Sequence, residues 1–346
     1  MRTNKILLIA VILCLSNFVA NAEEVLINEI RYKIVTEDTI ATVVKNYDYP
    51  HDILVIPDEI TYDSIKYRVT SIEDYAFSGH LSLKHIAIPN SVTYIGNRVF
   101  ENCFSLKTAI IGNGIKSTGE WMFSGCHALE NVYLSDGLIN IADMTFHDCH
   151  SLDSLNIPNS VVNIGESAFS SCGFKEINIP NSVENIGNQA FWSCFSLLKI
   201  TFPNSIRSIG EDILGGNDNI KSIYVQDKTP LEINESTLSF DPNIYIYATL
   251  FVPEGSLANY RNAAIWNNFV NIKEYNTTRI NNISARNVKT MPYGISLLYA
   301  EGETIVVYTT DGKCVANIDS YTGEEITLDK GVYVLRIGNK TIKVRL

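Results

Sequence analysis

The chain lacks the short motifs that hold phosphate or build a hydrolytic centre. It has no phosphate-binding glycine loop, no nucleophile elbow and no HExxH. Its cysteines lack the CxxC spacing of zinc sites. Beyond the first two dozen residues, no apolar run is long enough to span a bilayer, so no transmembrane segment is expected. Positive charge is also scarce. Twenty-seven Lys and Arg stand against 38 Asp and Glu, a net charge of −11. That balance argues against nucleic acid and anionic lipid as general partners. No two titratable groups stand in a catalytic arrangement, so neither an enzyme nor a cofactor is expected.

The first 22 residues, MRTNKILLIAVILCLSNFVANA, differ from the rest. Arg2 and Lys5 precede an apolar stretch from Ile6 to Leu15, and Ala20-Asn21-Ala22 fits a small-residue cleavage site. This is the pattern of a secretory signal peptide, and its apolar run is too short for a span. The mature chain is expected to begin at Glu23 and, having lost two cations and no acid, to carry −13. Cys14 follows Leu13 where a lipidation signal needs a small residue, so no lipid anchor is expected. The expected location is secreted or the outer cell surface.

What the chain has in plenty is one phrase, returning about every 23 residues. Residues 88–110 read IPNSVTYIGNRVFENCFSLKTAI and residues 179–201 read IPNSVENIGNQAFWSCFSLLKIT. Seven units start at Ile65, Ile88, Ile111, Leu134, Ile157, Ile179 and Phe202, and only the unit at Ile157 is one residue short. A fixed period of this length predicts a solenoid whose repeats bury their apolar faces against their neighbours. In each unit a short strand, such as Leu152–Ile157, ends at a proline, which cannot donate to a ladder. After an Asn-Ser turn comes a second extended piece, Val161–Ile164, stopped by Gly165. One helical turn around Ser167-Ala168-Phe169 follows.

Equivalent positions predict ladders through the stack. One runs Phe77, Phe100, Phe123, Phe146, Phe169, Phe191 and Leu214. Another runs through Ile72, Ile95, Thr118 and Ile141 to Ile209, and a third through Leu83, Leu106, Leu129 and Leu152 to Ile220. Cys103, Cys126, Cys149, Cys172 and Cys194 share one position. Side chains in such a column point in parallel, which suits an S–S bridge poorly, so they are expected to be buried reduced thiols. His127 and His150 follow two of them and should stack on adjacent rungs. With His147 and Asp148 they are read as a solvated edge, and no metal site is expected.

The outward strand positions vary while the ladders hardly change, as a binding surface permits and a core forbids. They are His85 with Ala87, Thr108 with Ile110, Asn131 with Tyr133 and Ser154 with Asn156. Beyond these lie Glu176 with Asn178, Lys199 with Thr201 and Ser222 with Tyr224. Ile110 beside Tyr133 is the expected apolar anchor in a mixed polar field.

The phrase I-P-x-S-V-x-x-I-G-x-x-A-F-x-x-C-x-S-L-x-x-I resembles the BspA-like leucine-rich repeats of bacterial surface proteins over residues 65–224. The resemblance implies a leucine-rich-repeat solenoid, β-rich with short helical turns. It also implies a β-rich N-terminal cap over 23–64, and a helical closing cap over 250–276 in which Tyr260 and Trp266 cover the open end. The repeats extend through 65–249, the last one degenerate. Residues 277–284 read as a linker. Residues 285–346 form a small all-β, sandwich-like unit with a hairpin signal at Asp311-Gly312 and a further strand pair, EEITL with GVYVLRIG. Through IVVYTTDGKCV and LDKGVYVLRIGNKTIKV it resembles the C-terminal sorting domain of the type IX secretion system. That implies export across the outer membrane by the secretion machinery, then cleavage and attachment or release. An ordinary β-sandwich with a ligand of its own is the alternative.

The function these readings support is non-catalytic adhesion. The strand face would bind a host extracellular protein, or another bacterial surface protein or glycan. The alternative is a structural spacer or self-associating surface component with no separate ligand.

Overall fold

The structure, a computed structural model, describes residues 22–232, residues 242–275 and seven strands between Val288 and Arg345. Residues 1–21 of the expected signal peptide and the linker lie outside the described residues. So does Asp311-Gly312.

The chain opens with β1 (Ala22–Ile27), β2 (Ile30–Val35), β3 (Ile40–Val43), β4 (Ile53–Val55), β5 (Glu59–Tyr62) and β6 (Ile65–Ile72). β1, β2 and β3 form an antiparallel meander, and β6 joins β3 in parallel and β5 antiparallel. Alternate residues Ile30, Tyr32 and Ile34 of β2 point inward and are buried, the period of two that a half-buried strand requires. The described chain thus opens in strands.

The repeats then supply alternating elements. These are β7 (His85–Ile88), β8 (Tyr94–Ile95), β9 (Thr108–Ile111), β10 (Asn131–Tyr133), β11 (Asn140–Ile141) and β12 (Asn163–Ile164). They continue with β13 (Glu176–Asn178), β14 (Asn185–Ile186), β15 (Lys199–Phe202), β16 (Ser208–Ile209) and β17 (Ser222–Val225). Equivalent residues of successive units pair in parallel register, Thr108 with Asn131 and Lys199 with Ser222. The chain is a β-solenoid of about 8 turns with little helix.

The three ladders form its core. Phe77, Phe100, Phe123, Phe146, Phe169 and Phe191 are fully buried, and successive rings lie 5.5–5.8 Å apart with planes within 13°. A Cβ at Gly119 would fall on the Gly96 carbonyl oxygen one rung below, so the backbones meet there with no room for a side chain. Thr118, the polar member of the isoleucine ladder, is buried with its hydroxyl 2.8 Å from that of Thr145.

The turn around Ser167 is helical only in part. Ser170 N–H donates to the Ser167 carbonyl, but Ser167 and Ser171 both have positive φ. The N–H groups of Ser167, Phe169 and Ser171 donate instead to Asn188, Ala190 and Trp192 of the next rung. The same three-bond pattern joins Arg98, Phe100 and Asn102 to Glu120, Met122 and Ser124. Two left-handed corners per turn therefore let the outer wall bond from rung to rung as a ladder does.

The expected strand at Leu152–Ile157 is not formed. The front ladder breaks there into β4-β7-β9-β10 and a second sheet that begins at β13. The missing residue of the Ile157 unit lies between Cys172 and Phe174, where a Cβ on Gly173 would strike the His150 carbonyl. This shortened connection leads directly into β13, which pairs in register with β15 and not with residues 154–156. The side sheet β11-β12-β14-β16 precedes the deletion in each unit and runs past it unbroken.

After the repeats come α1 (Pro242–Tyr247), β18 (Thr249–Pro253), α2 (Leu257–Asn262), a 3₁₀ turn (Trp266–Asn268) and β19 (Asn271–Tyr275). Tyr260 and Trp266 are buried as expected. Tyr260 donates to the Asp227 carbonyl at 2.8 Å, and Trp266 Nε1 to that of Leu231 at 3.1 Å. The segment is more than a helix over an end, because β18 and β19 continue the second front sheet in parallel.

Farther on lie β20 (Val288–Met291), β21 (Gly294–Leu297), β22 (Ile305–Thr309), β23 (Cys314–Ile318), β24 (Ile326–Thr327), β25 (Val332–Ile337) and β26 (Lys340–Arg345). β22 and β23 pair antiparallel. The expected pairing of EEITL with GVYVLRIG does not form. β24 pairs with β21, while β25 lies between β22 and β26. β25 runs six residues in register with the long β26, and a two-residue β24 offers fewer bonds in competition.

Candidate functional site

The face built by the front strands carries two outward columns. The first runs Ile53, His85, Thr108 and Asn131, then after the break Glu176, Lys199, Ser222, Thr249 and Asn271. The second runs Val55, Ala87, Ile110 and Tyr133, then Asn178, Thr201, Tyr224, Phe251 and Lys273.

The candidate residues divide accordingly. His85, Thr108, Asn131, Tyr133, Lys199, Ser222 and Tyr224 are half-buried, and Glu176 and Asn178 are exposed. Ser154 and Asn156 are exposed but stand at the break, outside any strand. Ile110 and Thr201 are corrections, at 6% and 3% exposed. Each is flanked in register by a rung on both sides, Ile110 by Ala87 and Tyr133, Thr201 by Asn178 and Tyr224. Rungs about 4.8 Å apart let the flanking side chains of the same column cover an outward residue. The expected Ile110–Tyr133 anchor therefore offers Tyr133 alone.

A stronger cluster lies on the second sheet. The rings of Tyr224 and Phe251 stack with centroids 4.4 Å apart and planes 6° from parallel. Tyr275 meets Tyr224 edge-on at 5.3 Å and donates its hydroxyl to the Val225 carbonyl at 2.9 Å. Burial, and then Tyr224, push the Tyr275 phenol up to about 12, so it stays a neutral donor. Lys199 Nζ stands 5.5 Å from the Tyr224 ring centre and 3.2 Å from Glu176. At the other end of the face, His85 is held below the ordinary imidazole value. Burial is the main cause, Lys84 and Lys107 add to it, and Asp52 opposes it.

Phe251, Lys273 and Tyr275 were missed because their segment reads as a closing cap. The alternation was there to see. In LFV, Leu250 and Val252 are buried with Phe251 between them, and in NIK the outward Lys273 follows Ile272. An aromatic cluster beside an ion pair can seat an apolar side chain and orient it by charge. It holds no nucleophile–base pair. Among the described residues, no group of three or more His, Cys, Asp or Glu is placed to hold a metal. No helix among them is long and apolar enough to cross a membrane.

Among solved structures, the chain is similar to a leucine rich repeat protein of Treponema pallidum. Identity is 26% over 59% of this chain and 85% of that one, with a TM-score of 0.42. A leucine rich cell surface protein of Faecalibacterium prausnitzii is 20% identical over 76% of this chain and 97% of that one, with a TM-score of 0.40. A leucine-rich repeat protein of Bacteroides ovatus is 24% identical over 66% and 76%, with a TM-score of 0.32. No curated protein matches. The profile of the BspA type leucine rich repeat region matches residues 58–173 and 139–246, which together take in every repeat and more than half of the chain. The chain belongs to the BspA type leucine rich repeat family.

Proposed function

We propose that this protein is a non-catalytic recognition module of the cell surface, which binds a protein partner through the strand face of its solenoid. The observation that carries this reading is the Tyr224–Phe251–Tyr275 cluster, with Lys199 and Glu176 at its side. Half-buried aromatics ringed by polar and charged groups are the usual composition of an interface centre. Membership of a leucine-rich-repeat family supports protein binding in general. Adhesion to a host protein or to another bacterium is the finer reading proposed here.

Export belongs to the same proposal. Residues 1–22 act as the signal peptide and residues 285–346 as a sorting domain of the type IX kind, with 277–284 as the linker between repeats and address. Membership of the BspA type leucine rich repeat family supports it.

Capture of host matrix proteins and partner bacteria by the full chain tests the reading, against Tyr224→Ala and Phe251→Ala variants. Saturable capture that falls in both variants, with thermal unfolding cooperative, supports it. Equal capture by parent and variants overturns the placement of the site. No capture by the parent overturns adhesion.

A further inference from the structure

The five buried cysteines stand beside an exposed column that the proposed function does not use. In it, the ring of Phe104 stacks on His127 at 5.1 Å, and His127 on His150 at 5.0 Å with planes 28° apart. Both imidazoles are exposed. They occupy one position in successive units, so their attachment points are held about one rung, 4.7–4.9 Å, apart. His150 Nδ1 lies 3.1 Å from the Ser171 carbonyl oxygen. A carbonyl only accepts, so Nδ1 carries the proton and Nε2 presents its lone pair. An imidazole anchored through its other nitrogen to a carbonyl is how metal-binding histidines are oriented.

The geometry points to a two-histidine site for a divalent transition metal at His127 and His150. Zinc, copper(II) and nickel(II) all favour imidazole nitrogen. Tetrahedral zinc with bonds of 2.0–2.1 Å sets its two nitrogens about 3.4 Å apart. The rings stack in the metal-free chain, so binding needs the exposed His127 ring to turn its lone pair towards Nε2 of His150, which keeps its bond to Ser171. The chain's net charge of −11 raises the local concentration of cations. Water fills the remaining positions, so the site is exchangeable and contributes nothing to folding. His147, on the same turn, faces Asp148 at 3.4 Å and Trp121, and takes no part.

The test is isothermal titration of the untagged full chain with zinc chloride, beside His127→Ala, His150→Ala and His147→Ala. One zinc per chain is expected. Affinity should fall about tenfold or more in each of the first two variants and stay within about twofold in the third. Histidine-selective NMR of the parent chain provides a readout without mutation, in which the His127 and His150 signals move together as zinc is added. No binding up to millimolar zinc, or equal affinity in the His127→Ala/His150→Ala double variant, overturns the assignment. So does zinc that shifts other histidines and leaves these two in place.

Discussion

Asn217 donates from Nδ2 to the main-chain carbonyl of Phe191 at 2.7 Å, and so stands in for a cysteine. In the five preceding units the cysteine Sγ occupies that place, 3.1–3.3 Å from the phenylalanine carbonyl one rung below. The column is thus a series of buried donors to the phenylalanine carbonyls, most of which also accept a backbone N–H of their own turn, as Phe100 does from Cys103. Cys126→Ala should remove the side-chain donor to Phe100, which keeps the Cys103 N–H, and cost about 0.5–1.5 kcal/mol. The urea midpoint should fall with the slope unchanged. A midpoint equal to the parent's would mean that the carbonyl has no need of the thiol.

The same burial governs reactivity. Desolvation pushes Cys103 and Cys194 up to about 12 and holds Cys126 and Cys172 well above the ordinary value of 9.0. The folded chain keeps these protons while the unfolded chain releases them near 9.0. Stability from this source is therefore full below pH 9 and declines as pH rises towards 12. Iodoacetamide at pH 8 should leave these five of the seven cysteines unmodified until the chain is unfolded, as peptide mass mapping will show.

Phe123 stacks on Phe100 and on Phe146, both at 5.5 Å, and is fully buried. Phe123→Ala should cost about 3–5 kcal/mol. Because repeats couple only to their neighbours, hydrogen exchange should rise most in the rungs of Phe100 and Phe146 and least at β2. Uniform loosening along the chain would contradict nearest-neighbour stacking.

His85 should titrate in NMR with a midpoint below 6.5, because burial disfavours its charged form. The unfolded chain then takes up the proton first. This group's share of stability is full above pH 6.5 and falls as pH drops through that value. A midpoint at or above 6.5 would show that Asp52 prevails over burial.

Reading along the chain finds whatever is local or repeats at a fixed offset. The Phe ladder, the isoleucine ladder with its Thr118, the cysteine column and the stacking of His127 on His150 all follow from the period alone. The face is harder to read. A period of two puts Ile110 and Thr201 outward, yet whether an outward residue is exposed depends on the height of its neighbours one rung away. Phe251 and Tyr275 belong to no repeat, so nothing in the phrase assigns them to the face that β18 and β19 extend.

What the sequence by itself determined is the rung: its length, its inward residues and the parallel stacking that buries them, because each repeat meets only its neighbours. The tertiary structure alone decided where rungs fail to pair and which surfaces meet. The front sheet breaks at Ser154–Asn156, in the unit that has lost a residue, while the side sheet runs on unbroken. The pairing of β24 with β21, the Cys-to-carbonyl bonds and the anchoring of His150 on Ser171 likewise join residues brought together only when the chain is stacked. Those interactions are set by distances across rungs, which no local pattern encodes.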